Sequence, residues 1–266
     1  MRQPGEATSE VMVERSELQL AMRKSWVGVV IPVYGEENSI CWVLSRFSKS
    51  AVDTICLVVD VPLRREMDKI REAAKQVGIT VHIIKNSRRT GVGSSLRQGL
   101  RYLTETGHDV AVIMAGNGKD DPAEIQRVVQ PVVSGECDYV QGSRYLQGGR
   151  KSRMPLVRTV FNRLYPAVWT ILTRKLCTDV TNGFRCFRLS ILKDHRVNLE
   201  QSWLDGYSLE YYLHFKVLAL GYRVKEAPVS KIYPFGNRGG YSKIQPLKDW
   251  WPIISPLILL FLGVRK

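Results

Sequence analysis

The chain has 266 residues, 44% of them hydrophobic, and a net charge of +14 at pH 7. That length holds one large α/β domain or two small ones, and the composition is that of an ordinary globular protein. The positive excess favours anionic partners, whether nucleic acid, an anionic membrane surface or phosphorylated substrates, and by itself selects none of them.

The five cysteines, Cys41, Cys56, Cys137, Cys177 and Cys186, form neither a metal knuckle nor a CxxC pair. Scattered, odd in number and without a signal peptide, they suggest reduced thiols in a cytosolic compartment. His82, His108, His195 and His214 lie far apart in sequence, which argues against a histidine metal site.

In chain order, residues 1–24 read as a surface helix or a loose arm. Val27 to Tyr34 is a buried strand running into a loop, and Glu36 to Ser39 opens a helix. Thr54 to Asp60 is a second strand that ends on a carboxylate. A charged helix over 64–77 and a third strand over Val81–Ile84 follow. Gly91-Val92-Gly93-Ser94-Ser95 starts a helix through Tyr102. Val110 to Met114 is the fourth strand, and Asp121-Pro122 caps the next helix.

Strands alternating with helices of this length predict βαβ units in a mostly parallel sheet. Ligands of such sheets bind beyond the carboxyl ends of the strands. Four loops open on that edge, bearing Tyr34 and Glu36, Asp60, Asn86 to Gly93, and Asn117 to Asp121.

The second half begins with Asp138 to Tyr145, a strand leading to a basic loop. Residues 153–175 form an amphipathic helical stretch. Asp179 to Arg188 reads as a turn and a strand, Leu204 to Leu220 as a helix, and Tyr222 to Ile232 as a strand. Gly236 to Lys243 is a flexible polar loop. No internal repeat or long linker divides the chain. Trp250 to Gly263 is apolar, with Val264-Arg265-Lys266 after it. It is too short and proline-broken for a straight membrane span, and its flanks suit a membrane interface. A helix docked on the domain and the stub of a membrane anchor are the alternatives.

Several motifs together resemble family 2 glycosyltransferases of the GT-A fold, nearest the polyprenyl-phosphate (dolichol-phosphate) mannosyltransferases. They are Ile31-Pro32-Val33-Tyr34-Gly35-Glu36-Glu37, Val59-Asp60, Asn86 with Gly91-Val92-Gly93, and the loop 115–122. Gly142-Ser143-Arg144-Tyr145, Asp179-Val180-Thr181-Asn182-Gly183-Phe184-Arg185, Gly221 to Pro228 and Arg238 to Lys243 complete the set. The resemblance implies a GT-A (Rossmann-like) mostly parallel sheet over residues 25–245, after an arm at 1–24 and before an apolar interfacial segment at 246–266.

The resemblance further implies that Pro32, Tyr34, Glu36 and Asp60 cradle the base and ribose of a nucleotide-sugar donor, with Gly93 letting backbone approach it. A strand-end cap is the plain alternative for Asp60. The family often runs Asp-Asp-Gly-Ser after this strand, whereas here Asp60 precedes Val61-Pro62-Leu63-Arg64. Arg144, Arg158, Arg238, Ser242 and Lys243 map onto positions that hold the acceptor phosphate and the leaving diphosphate, as Arg forks and hydroxyls suit. Arg185 is counted with them. Asp179 and Glu210 match acidic positions on the acceptor side, Asp179 being alternatively a buried partner of Arg185.

In the family's usual loop, Asp-x-Asp-x-Gln oxygens hold Mg2+ or Mn2+ against the diphosphate. This chain has Ala115, Asn117 and Lys119 in that register, around Gly116. Two carboxylates are lost and one ammonium is gained. The expectation is therefore a metal-independent transferase in which Lys119 replaces the ion, Asn117 and Asp179 being the other catalytic candidates. Asp120 and Asp121 binding a metal from shifted positions, and a catalytically inactive relative that binds nucleotide or lipid phosphate, are the alternatives.

A lipid-phosphate acceptor is already ionised at pH 7 and needs no base. A soluble hydroxyl acceptor requires one, for which Asp179 is the candidate. Basic charge, the phosphate-binding loop and the Trp-rich tail favour a polyprenyl phosphate, placing the protein at the cytoplasmic face of a membrane as a peripheral protein. Nucleic acid is disfavoured, because no recognition motif occurs and the cations are spread along the chain.

Overall fold

β1 (Val27–Val33) is a run of apolar residues that is buried along nearly its whole length. Such runs, buried on both faces, belong to the centre of a parallel sheet. In the computed structural model, which describes residues 25–48, 51–61, 64–152, 156–232 and 250–265, β1 lies between β2 (Thr54–Asp60) and β4 (Val110–Ile113), parallel to both. β3 (Thr80–Asn86) extends past its expected ends and pairs with β2 at the sheet edge.

The other half holds β5 (Tyr139–Ser143), β7 (Arg185–Arg188) and β8 (Val224–Pro228). The full order is β3-β2-β1-β4-β7-β5-β8. β7 runs antiparallel to β4 and to β5, and the remaining pairings are parallel. The expected strand 222–232 breaks at Val229. Its second piece, β9 (Ser230–Lys231), leaves the sheet and pairs with β6 (Arg150–Lys151), a short strand inside the expected basic loop.

Helices cover both faces. α1 (Glu37–Ser45), α2 (Arg64–Gln76) and α4 (Ile125–Val133) enclose one core with Val29, Ile31, Ile55 and Val112. α4 buries Ile125, Val128, Val129 and Val132, a one-sided apolar stripe. α3 (Val92–Glu105) and α6 (Ser208–Ala219) cover the other face with Val30, Val58 and Ile113. The helix expected from Leu204 starts at Ser208, after a short 3-10 turn at Ser202–Leu204.

α5 (Leu156–Thr173) and α7 (Trp250–Phe261) form a third cluster against α6. Trp169 is fully buried there, and Tyr165 donates to the Ile253 carbonyl at 2.7 Å. The apolar C-terminal segment is thus a docked helix on its Ile253, Leu257 and Leu260 side, while Trp251, Phe261 and Leu262 stay exposed. Among the described residues no helix is long and apolar enough to cross a membrane. The arm at 1–24 lies outside the described residues.

Candidate active site

The carboxyl ends of β1, β2, β3 and β4 lie side by side, because all four strands are parallel. Asp60 closes β2 and is buried. Its carboxylate accepts from Asn86 Nδ2 at 2.9 Å, the Thr90 amide at 2.8 Å and Thr90 Oγ1 at 3.1 Å. This sets the shape of the loop from β3 into α3. Val61 follows with φ +49°, a conformation costly for a β-branched side chain.

Gly91 has φ +94°, and with Gly93 it permits a close approach of backbone. The backbone that comes close is the chain's own. The Gly93 and Ser94 amides donate to the Asp205 carbonyl at 2.8 and 3.1 Å. A Cβ on Gly93 would collide with the Leu204 and Gly206 carbonyl oxygens. Gly93 thereby seats the start of α3 against the segment that leads into α6.

Pro32 and Glu36 meet the loop after β4. A Cβ on Gly116 would lie 3.1 Å from Glu36 Oε2 and 3.2 Å from the Pro32 carbonyl oxygen, so glycine lets this loop lie on the end of β1. Tyr34 is exposed, and the Arg89 guanidinium stands 4.7 Å from its ring centroid. An aromatic face with a cation beside it suits a nucleobase and its phosphates. Arg89 was not singled out by sequence, since a cation in a polar loop carries no local signal.

Within the β4 loop, Asn117 Oδ1 accepts from the Lys119 amide at 3.1 Å, fixing a tight turn. Asp120 is fully buried. It accepts from the Ala115 amide at 3.2 Å and from Lys231 Nζ at 2.6 Å. Asp121 caps the next turn through the Ala123 amide at 3.0 Å and pairs with Arg46 at 2.7 Å.

The donor set does not fit a divalent ion. Ala115 has no side-chain oxygen, Asn117 is turned to its own loop, and Asp120 and Asp121 each already bind a cation of the chain. Hard divalent ions take several oxygens, carboxylates foremost. Among the described residues no three His, Cys, Asp or Glu side chains gather as a metal site.

On the acceptor side, Arg144 and Asp179 are both buried and joined by two side-chain hydrogen bonds, Nε to Oδ2 at 2.6 Å and Nη2 to Oδ1 at 2.7 Å. Burial opposes the charge of Arg144, but the Asp179 bonds outweigh it and hold its pKa above the ordinary value. Arg144, not Arg185, is the partner of Asp179. Arg185 is enclosed and donates to the Glu210 carbonyl at 2.7 Å and to Tyr139 Oη at 3.1 Å, with the Glu210 carboxylate 3.3 Å from its Nε.

The structure therefore brings Pro32, Glu36, Gly116 and the 115–120 turn together at one edge, and turns Arg144, Asp179 and Arg185 inward. The Arg158 side chain, and Arg238, Ser242 and Lys243, lie outside the described residues.

Sheet order, parallel ends and the loops on them are those of a glycosyltransferase fold of the GT-A type. Residues 28–196 match Glycosyl transferase family 2, well over half of the chain, and the protein belongs to that family. An undecaprenyl-phosphate mannosyltransferase of Micrococcus luteus is 28% identical over 204 residues, 76% of this chain and 81% of that one. A UDP-N-acetylglucosamine–dolichyl-phosphate N-acetylglucosaminyltransferase of Methanococcus voltae is 30% identical over 183 residues, 65% of this chain and 73% of that one. Glucosyl-3-phosphoglycerate synthase of Mycobacterium tuberculosis, solved with Mn2+, UDP and its product, shares the fold. It has a TM-score of 0.61 at 17% identity, covering all of this chain and 88% of that one.

Proposed function

We propose that this glycosyltransferase moves a sugar from a nucleoside diphosphate to a polyprenyl phosphate, with inversion and without a divalent metal. The observation that carries the reading is the occupation of the loop's carboxylates, Asp120 by Lys231 and Asp121 by Arg46, with Lys119 in the register of a metal ligand. In this reading a phosphate oxygen of the acceptor attacks the anomeric carbon. The bond to the nucleoside diphosphate breaks, and its electron pair leaves on the diphosphate. Lys119 offsets that developing charge, Asn117 shapes its turn, and Tyr34, Glu36, Pro32 and Asp60 form or brace the nucleoside wall.

The relatives named for undecaprenyl phosphate and dolichyl phosphate support the acceptor. A phosphate acceptor needs no base, which agrees with Asp179 being enclosed by Arg144. Arg158, Arg238, Ser242 and Lys243 are the candidate phosphate ligands, while Arg144 and Arg185 are enclosed and serve the acceptor side as structural cations.

Val160, Leu164, Val168 and Ile171 form an exposed apolar stripe along α5, with exposed Leu176 just beyond. No Asp or Glu occurs between Tyr139 and Thr178, where Arg150, Lys151, Arg163, Arg174 and Lys175 fall. An apolar stripe flanked by cations supports seating on an anionic membrane surface. Five cysteines, none of them in a disulfide, support its cytoplasmic side.

The test is calorimetric titration of GDP-, UDP- and CDP-sugars, each in EDTA and in Mg2+, into wild type and Lys119→Ala. Metal-free binding of one nucleotide sugar, lost in Lys119→Ala, is the expected result. Binding only with Mg2+ would overturn the lysine reading. No binding in either condition would overturn the donor reading.

A further inference from the structure

Lys231 was not singled out by sequence, yet it makes the shortest ion pair at the β4 loop. Its Nζ lies 2.6 Å from Asp120 Oδ1 and 3.3 Å from Asn182 Oδ1. The Asp120 side chain is fully buried and that of Lys231 is 14% exposed. A charged pair at this depth persists only with further hydrogen bonds around it, and these are present. Asp120 Oδ2 accepts from the Ala115 amide at 3.2 Å, and Asn182 Oδ1 also accepts from the Phe184 amide at 3.2 Å.

The contact is part of a seam. Ser230 Oγ donates to Glu124 at 2.9 Å, just beyond the loop. Asp120 and Lys231 form an antiparallel bridge, and the Ile232 amide donates to the Lys119 carbonyl at 2.9 Å. Three successive residues, Ser230, Lys231 and Ile232, thus hold the chain from Lys119 to Glu124. The backbone of Lys119 is fixed from both sides, by Asn117 and by Ile232.

We propose that Lys231 is a positioning residue whose ammonium, ligated by Asp120 and Asn182, is the built-in cation that orders the 115–120 loop and aims Lys119 at the donor diphosphate. The inference rests on the donor reading above. It accounts for why the loop keeps an acidic residue although the carboxylates of the metal register are gone: Asp120 faces inward, to a cation the chain supplies. Two ammonium groups then divide the work, Lys231 beneath the loop and Lys119 within it.

The experiment uses the full chain as wild type, Lys231→Met, Lys231→Arg and the charge-neutral double variant Asp120→Asn/Lys231→Met. Backbone amide exchange is followed at Ala115, Lys119 and Ile232, and UDP and GDP binding is titrated in EDTA. In Lys231→Met these amides lose protection while β1 and β2 keep theirs, and nucleotide affinity falls at least about tenfold. Lys231→Arg restores both. Should Lys231→Met fail to fold, the double variant, which leaves no buried charge unpaired, carries the same expectation.

Unchanged protection of the three amides in a folded variant overturns the clamp, whatever the ligand result. Lost protection with unchanged affinity overturns its role in aiming Lys119. If wild type binds neither nucleotide in EDTA, the metal-free lysine reading fails for these nucleotides and with it the aiming role, while the exchange data still decide the clamp.

Discussion

Arg144 and Asp179 face each other with their planar groups in register, 2.6 and 2.7 Å apart at two points, and the Arg144 amide adds a third bond to Asp179 Oδ2 at 3.0 Å. A guanidinium so enclosed depends on its carboxylate. Removing one partner of a buried pair costs about 3–5 kcal/mol, because the other charge stays behind. Asp179→Ala is therefore expected to lose that much stability in urea unfolding. A loss below about 1 kcal/mol, the range of a surface pair, would mean that the pair is solvated.

Gly93 and Gly206 lie on the two sides of one contact but answer differently to a methyl group. A Cβ on Gly93 meets carbonyl oxygens of Leu204 and Gly206, whereas one on Gly206 meets nothing within 4 Å. Gly93→Ala is expected to destabilise by about 3 kcal/mol, the upper end for overpacking. Gly206→Ala should stay within about 0.5 kcal/mol. Equal melting temperatures for the two variants would refute the contact.

His214 is buried beside Trp169, with Tyr139 Oη 3.3 Å from its Nδ1. Burial, and then the nearby Arg185, hold its pKa well below the usual value. Burial lowers that of His108 as well. The unfolded chain takes up these protons below about pH 6.5 and the folded chain resists them. Stability is therefore complete above that pH and falls below it, by up to about 1.4 kcal/mol per pH unit for each histidine. Urea midpoints at pH 7.5 and 5.5 should differ, and less so in His214→Gln. Equal midpoints in wild type would count against a neutral buried imidazole.

Ile171 and Leu164 are 74% and 61% exposed on α5, so changing them costs the fold little. Burying such a side chain in a bilayer interface is worth about 1.5–3 kcal/mol. The double variant Leu164→Glu/Ile171→Glu is expected to bind anionic vesicles at least about tenfold more weakly than wild type, with an unchanged melting temperature. Wild type that does not sediment with such vesicles would remove α5 as a membrane face.

The sequence carried the sheet and the edge because burial patterns are local. The apolar runs of β1, β2 and β4 mark strands buried on both faces, and a parallel sheet then places Tyr34, Asp60 and the 115–121 loop together. Partners were less legible. Asp120 and Lys231 are 111 residues apart, and nothing in either neighbourhood marks the other. Asp179, read as an acceptor-side acid or alternatively a partner of Arg185 six residues on, pairs with Arg144, 35 residues back. The intervening turn points Arg185 into the core, towards Glu210. The glycines after β3 suggested room for a ligand, and the room is filled by the Asp205 backbone. Periodicity shows that a side chain is inside. Topology decides what it meets there.

β7 gives the molecule a fixed gauge. It is four residues long and bonded along one edge to β4 and along the other to β5. With strands about 4.8 Å apart, β4 at the border of the parallel half and β5 on the other side sit about 10 Å from each other, and neither can slide without breaking a ladder. A one-residue slip in this strand would also turn Arg185 to the opposite face. The four residues Arg185–Arg188, in the middle of the sheet, thus set how far the loop after β4 stands from the loop after β5.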